Sequence, residues 1–106
     1  MNHGSVVIGM CAAVSLSLVC ACASAPPPKD RMAWAQDKVR ESELCGAELV
    51  PVANAQLQRA RGEIQLARKL SKGGENERAE SMLRRAAADA ELAFALTQES
   101  QVDSPK

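Results

Sequence analysis

The chain has 106 residues, and its 13 basic residues balance its 13 acidic residues, so it carries no net charge at neutral pH. A neutral chain with one Trp, one Phe and no Tyr has neither the positive field nor the stacking side chains that nucleic-acid binding needs. The length allows one small domain with a modest hydrophobic core. We therefore expect no nucleic-acid partner.

Residues 1–28 contain no Asp, Glu, Lys or Arg, whereas the rest of the chain holds every charged residue. Ser5–Cys20 is almost wholly apolar or small, and small residues and a proline run follow it, which is the order of parts in a secretory signal. We predict a cleaved signal peptide over residues 1–21. The alternative is an uncleaved transmembrane helix over Val6–Ala25, because about 20 apolar residues suffice to cross a bilayer.

The segment Val19-Cys20-Ala21-Cys22 resembles the lipobox of bacterial lipoproteins, and only Cys22 has a suitably small residue directly before the cut. The resemblance implies that the Cys22 thiolate becomes a thioether to diacylglycerol and that the new amino terminus is acylated. Several chains hold a protein stably on a membrane, where a single chain holds it only reversibly. Ala23 follows in place of the Asp that commonly retains such lipoproteins at the inner membrane. This implies the periplasmic face of the outer membrane of a diderm bacterium.

Residues 22–29 are predicted to form the lipid anchor and a Pro-rich linker. Ser24–Pro28 should run as an extended polyproline stalk that lifts the domain about 15 Å from the lipid head groups. Cys45 is then the only thiol left in an oxidising compartment. It is either buried as a small apolar side chain or available for an intermolecular disulfide, and we favour burial.

Residues 30–100 are rich in strong helix formers and poor in β-branched residues, which predicts an all-α domain followed by a disordered tail over residues 101–106. The first helix is expected from about Arg31 to Cys45, ending at Gly46, which takes the left-handed conformation at no steric cost. Its thin apolar stripe consists of Trp34, Ala35, Val39 and Leu44.

A second helix is predicted from Pro51 to about Lys72, where Gly73-Gly74 breaks it. The third should begin with Asn76 as N-cap and continue to about Glu99. Small and apolar residues recur at spacings of three and four on both helices, which indicates an antiparallel, alanine-rich hairpin. The predicted contact residues are Leu57, Ala60, Ile64, Ala67, Ala79, Leu83, Ala86 and Ala90.

Alanine at these contact positions lets the helix backbones approach closely but buries little area per contact. The hairpin alone should therefore be only modestly stable. We expect its alanine faces to associate with a second copy, giving a homo-oligomer, or with a helical envelope protein.

The stretch from about Leu44 to Ala95 resembles domain-of-unknown-function family 4398. This family occurs in small helical envelope lipoproteins and, in longer members, ahead of an OmpA-like peptidoglycan-binding domain. It has no assigned activity, so the resemblance implies a location and a helical fold. The residues that carry it are Gly46-Ala47, Pro51, Leu57, Ala60, Ala67-Arg68, Gly74, Ala79, Leu83, Ala86 and Asp89-Ala90.

A weaker likeness is to half of a tetratricopeptide repeat, whose turn and second helix have the spacing of Gly74, Ala79, Leu83 and Ala86. Such repeats need about three stacked units for a stable core, and one copy makes no array.

The predicted mature chain has no His and no Tyr, and Cys22 is used for the lipid, so the usual general bases and imidazole ligands are missing. The pair Asp89 and Glu91, or the group Glu75, Glu77 and Glu80, could be proposed as acid and base. We expect these carboxylates to face water with nothing to shift their pKa values. We therefore predict no enzyme activity, no cofactor and no metal site.

Two functions remain. The favoured one is a structural or adaptor lipoprotein that acts through helix–helix contact. The alternative is a module that binds a cell-wall fragment or a small ligand in a helical groove. A groove needs converging polar groups around an apolar pocket. The two aromatic rings, Trp34 and Phe94, are predicted to lie on different helices, so the alternative requires that they meet at a cavity.

Overall fold

The computed structural model describes residues 25–103, and this part of the chain forms three α-helices and one short 3-10 turn, without any strand. The helices are α1 (Lys29–Cys45), α2 (Pro51–Lys72) and α3 (Asn76–Asp103), and the 3-10 turn is Ala47–Leu49. The all-α prediction is confirmed. The predicted signal peptide, Cys22 and residues 104–106 lie outside the described residues. None of the three helices combines the length and apolarity that a membrane crossing requires.

The α2 and α3 helices form a hairpin closed by a tight turn. The amide of Glu75 donates to the Leu70 carbonyl at 2.8 Å, and that of Gly74 to the Ser71 carbonyl at 3.0 Å. Gly74 has φ +82°, where any Cβ would be strained. The side chain of Asn76, predicted to be the N-cap, does not close the helix, because Asn76 is already its first residue and the carbonyl of Glu75 accepts the first helical bond, from Ala79.

The α3 helix is longer than predicted. It continues past Glu99 to Asp103, so residues 101–103, expected in the disordered tail, are helical. The extension has contacts that hold it: Thr97 is fully buried, and the Gln101 amide donates to the Cys45 carbonyl at the end of α1 at 3.2 Å. The end of α3 is thus ordered by packing beside α1.

The α1 helix lies across one side of the hairpin, and Gly46 ends it with φ +99°, as predicted. Its buried residues are Ala35, Val39 and Ser42, at spacings of four and three. Trp34 is 37% exposed and Leu44 is 82% exposed, so the predicted apolar stripe was wrong at both positions. A polar residue replaces Leu44 in the contact because the Ser42 hydroxyl donates to the Ala90 carbonyl of α3 at 2.6 Å.

The hydrogen bond from Ser42 to Ala90 makes a testable contribution to stability. Ser42→Ala removes the buried hydroxyl, and the free energy of unfolding is expected to fall by about 1 kcal/mol. Ser42→Leu should cost more, about 1–3 kcal/mol, because the site has no room for added methylenes. Urea titration of wild type and both variants measures the three free energies of unfolding. Equal stability of all three chains would mean that α1 does not pack closely here.

All eight predicted contact residues are buried, at 0–5% exposure, and belong to one core cluster that consists mainly of alanines. The α2 and α3 faces that carry them pack on each other, and we call this contact the seam. The α1 helix covers part of it. The alanine faces are therefore already covered within the folded chain. A partner of the folded domain would have to contact other residues.

The Pro-rich linker packs on the domain where a free stalk was expected. The Asn76 side-chain amide donates to the carbonyl of Ala25 at 2.8 Å, and the amide of Met32 donates to the Pro28 carbonyl at 2.9 Å as α1 begins. Asn76 also accepts a hydrogen bond from Ser71 at 3.2 Å. The linker is thereby held beside the turn between α2 and α3, so residues 25–28 do not act as a spacer.

Candidate functional site

The residue pattern of α2 recurs on α3, 26 positions later in the sequence. Arg59, Glu63, Leu66 and Leu70 on α2 correspond to Arg85, Asp89, Leu92 and Leu96 on α3. The seam residues repeat in the same register, since Leu57 and Leu83, Ala60 and Ala86, and Ala67 and Ala93 are equivalent pairs. This repeat was not predicted above, although aligning the chain with itself reveals it.

The repeated residues lie on one surface of the hairpin, which we call the outer face. Spacings of three and four along each helix align them in two neighbouring stripes. The α1 helix packs on the opposite side, where Lys38 faces Glu91 of α3 at 3.7 Å and Arg61 of α2 contacts Glu43. The outer face comprises Val52, Gln56, Arg59, Glu63, Leu66 and Leu70 of α2 with Met82, Arg85, Asp89, Leu92 and Leu96 of α3.

Two carboxyl groups meet at the centre of the outer face. Glu63 of α2 and Asp89 of α3 lie within hydrogen-bonding reach of each other. One oxygen of each, Glu63 Oε1 and Asp89 Oδ2, is inaccessible to solvent and has no hydrogen-bond donor among the described residues. Two ionised carboxylates have only acceptors, so a proton on one of them is what joins the pair.

Burial raises the pKa of Glu63 to about 7, and the hydrogen bond to Asp89 and its charge act in the same direction. Arg85 and Arg59 act in the opposite direction, because their positive charges favour the ionised carboxylate. Neither arginine forms a salt bridge within the described part of the chain. The centre of the outer face can therefore hold one proton near neutral pH.

The expectation that Asp89 faces water was wrong, because one of its carboxyl oxygens is inaccessible to solvent. Asp89 meets Glu63 across the hairpin, and the other suggested partner, Glu91, faces Lys38 of α1. Of the second suggested group, Glu75 pairs with Arg78, and Glu80 pairs with Arg84 at 3.1 Å. Glu63 escaped notice because its partner is distant in sequence. No three His, Cys, Asp or Glu residues within residues 25–103 could share a metal ion.

Apolar side chains surround the carboxyl pair on both helices. Leu66 is 43% exposed and Leu92 is 44% exposed, and Val52, farther along α2, is 60% exposed. Leu66 and Leu92 follow the two carboxyl residues by the same number of positions, so the surface has approximate two-fold symmetry. The arrangement can pack against another helical surface.

A second feature is a groove of about 700 Å³ beside the linker, lined by Pro26–Pro28, Trp34 and residues of α1 and α3. The Arg31 guanidinium lies 5.1 Å from the centre of the Trp34 ring and 4.0 Å from a carboxylate oxygen of Glu80. These polar groups already have partners in the chain. Phe94 does not line the groove, so the two aromatic rings do not meet there.

The junction of α1, the 3-10 turn and α2 is held by charge. Arg61 contacts Glu43 and lies 2.9 Å from Glu48. The hydrogen bonds to these carboxylates raise the pKa of Arg61 above its ordinary value. Cys45, for which we favoured burial, is half-buried at this end of the domain. Its partial exposure leaves an intermolecular disulfide sterically open.

Comparisons of the sequence with protein-family models and with curated proteins, and of the fold with solved structures, find no match. The resemblance to family 4398 therefore stays an expectation based on the residues named above.

Proposed function

We propose that this chain is a non-catalytic lipoprotein of the bacterial cell envelope that acts as a structural or adaptor module through helix–helix contact. The observation that carries the proposal is the outer face. The seam alanines are covered within the chain, whereas Leu66 and Leu92 stay nearly half exposed around a charged centre. Exposed apolar residues grouped on one surface commonly mark a site of protein contact.

The anchor in this proposal is lipid on Cys22, and the location is the periplasmic face of the outer membrane of a diderm bacterium. The support is the sequence Val19-Cys20-Ala21-Cys22, followed by Ala23. Ala25, three residues after Cys22, is bound to Asn76 beside the hairpin turn. Three extended residues span about 10 Å, so the lipid would hold the turn end of the domain against the membrane.

Lipidation of Cys22 is tested by growing cells with labelled palmitate and isolating the protein. Wild type and Cys20→Ser are expected to carry the label, and Cys22→Ser is expected to lose it, because only Cys22 has all three suitable residues before it. Label that persists in Cys22→Ser and disappears in Cys20→Ser would contradict the assignment.

The non-catalytic part of the proposal also has structural support. Glu63, whose pKa is raised to about 7, and its neighbour Asp89 line neither the linker groove nor the smaller groove between α1 and α2. An acid–base pair needs space for a substrate beside it. The linker groove supports the alternative, binding of a cell-wall fragment or small ligand, less well, because Arg31 and Glu80 pair with each other within it.

A further inference from the structure

We propose that the outer face of the α2–α3 hairpin binds the outer face of a second copy of this chain, which yields a four-helix bundle with the α1 helices on its two outer sides. The proposal names the partner for the helix–helix contact of the proposed function and the residues that form it. It requires only the folded domain, and so it can hold or fail independently of lipidation at Cys22.

The outer face has the symmetry that a two-fold dimer requires. Each helix of the hairpin carries an arginine, a carboxyl residue and two leucines in the same order, and the antiparallel arrangement relates the two sets by an approximate two-fold axis. The first leucine of each set, Leu66 or Leu92, is exposed, whereas Leu70 is buried and Leu96 partly buried. Most soluble homo-oligomers are two-fold dimers in which the same patch serves on both subunits. Two such hairpins stacked face to face give four nearly equivalent helices, the geometry of a four-helix bundle.

The charges of the outer face also suit a second copy of the same face. The outer face holds Arg59, Arg85, Glu63 and Asp89, so its charged centre is balanced when both acids are ionised and is positive when the pair holds a proton. Each arginine lies four residues before a carboxyl residue, about 6 Å along the helix axis. In a second copy related by a two-fold axis, the two arginines lie about one helical turn to either side of the carboxyl groups of the first copy, measured along the helix axis. The long guanidinium side chains can reach the solvent-facing side of Glu63 and Asp89, both of which are only partly buried.

The outer face is also large enough for a specific dimer. The α2 helix has 22 residues, which makes the hairpin face about 33 Å long, and two adjacent helices are about 20 Å wide. The face therefore offers roughly 650 Å² per copy, or about 1,300 Å² in a dimer, which is within the range of specific interfaces. Leu66, Leu92 and the partly buried Met82 and Leu96 supply its apolar part.

The mass of the full-length chain, purified in detergent, is measured by light scattering with the detergent contribution subtracted. We expect the mass of two chains. Leu66→Glu combined with Leu92→Glu should weaken the dimer at least tenfold. Leu44→Glu and Leu49→Glu, at positions 82% and 86% exposed and away from the outer face, are the matched controls and should remain dimeric. Circular dichroism verifies that every variant is folded.

Charge exchange provides a second test that does not depend on the leucines. A chain with Arg59→Glu and Arg85→Glu has an acidic outer face, and a chain with Glu63→Arg and Asp89→Arg has a basic one. Each should be monomeric alone, and an equimolar mixture should form a mixed dimer. A monomeric wild type, a dimer unaffected by the leucine variants, or crosslinking of position 92 on cells only to a different protein would overturn the proposal. None of these results would contradict lipidation at Cys22.

Discussion

Ala86→Glu is expected to unfold the domain, whereas Ala88→Glu in the same helix should leave it folded. Ala86 is fully buried in the seam between α2 and α3, and Ala88 is exposed. An unpaired charge in a close-packed seam costs about 3–5 kcal/mol. That cost approaches the whole stability of a domain of this size, which is about 4–12 kcal/mol at 0.05–0.15 kcal/mol per residue.

Thermal melting followed by far-ultraviolet circular dichroism measures the difference. Both Ala86→Glu and the equivalent α2 variant, Ala60→Glu, should show weak helical signal or a melting temperature more than about 15 °C below wild type. Ala88→Glu and Ala55→Glu are the exposed controls, since glutamate is itself a good helix former. Similar melting curves for buried and exposed variants would show that the alanine seam is not close-packed.

Glu63→Gln is expected to stabilise the domain at pH 8 by about 2 kcal/mol and to have little effect at pH 4. Burial and the nearby Asp89 raise the pKa of Glu63 to about 7 in the folded chain, against an ordinary value of 4.5. A difference of one pKa unit is worth about 1.4 kcal/mol. The free energy expected here is smaller than the full pKa difference would give, because the Glu63 side chain is only partly buried and water screens its charge.

The sign follows from proton release. Below about pH 4.5 Glu63 is protonated in the folded and the unfolded chain, so its contribution to stability is fully present. Between pH 4.5 and about 7 the unfolded chain releases the proton while the folded chain retains it, and the free energy of unfolding falls with rising pH. Above about pH 7 Glu63 is ionised in the folded and the unfolded chain, and its contribution to stability is lost completely.

Urea unfolding at several pH values between 4 and 9 gives the comparison. The difference in the free energy of unfolding between Glu63→Gln and wild type should increase from pH 4.5 to 7 and then remain constant. Glu99→Gln, which replaces an exposed carboxyl on α3, is the control for the loss of one negative charge. A flat difference for Glu63→Gln would show that the two carboxyl groups do not share a proton.

The helices and their ends were largely predictable because they depend on local chemistry. Helix boundaries are set by single residues: Pro51 starts α2, Gly46 follows the end of α1, and Gly73-Gly74 follows the end of α2. The seam was predictable for a similar reason, since seven residues of spacing return to the same side of a helix. The face of α1 that packs on the hairpin could not be predicted from hydrophobicity, because Ser42 takes the place of Leu44 in the contact and donates a hydrogen bond to Ala90.

The central pair of the outer face was harder to foresee. Glu63 and Asp89 are both polar residues on helices that look solvent-exposed at those positions, and only their meeting across the hairpin makes them unusual. Their register depends on the length of the turn, which no pattern within one helix specifies. The packing of the linker on Asn76 is of the same kind, because Ala25 is distant from it in sequence.

The 26-residue repeat also bears on how copies of this chain could misassemble. Because α2 and α3 present nearly the same seam, α2 of one molecule could pair with α3 of another through contacts like those within one molecule. Such an exchange needs a straight connection between the helices, and Gly74, with φ +82°, bends it back. A turn this short lets the two helices of one chain meet in less than a microsecond. Strained short turns favour exchange, but glycine adopts the positive φ of Gly74 without strain, so we expect this turn to favour pairing of α2 with α3 of the same chain.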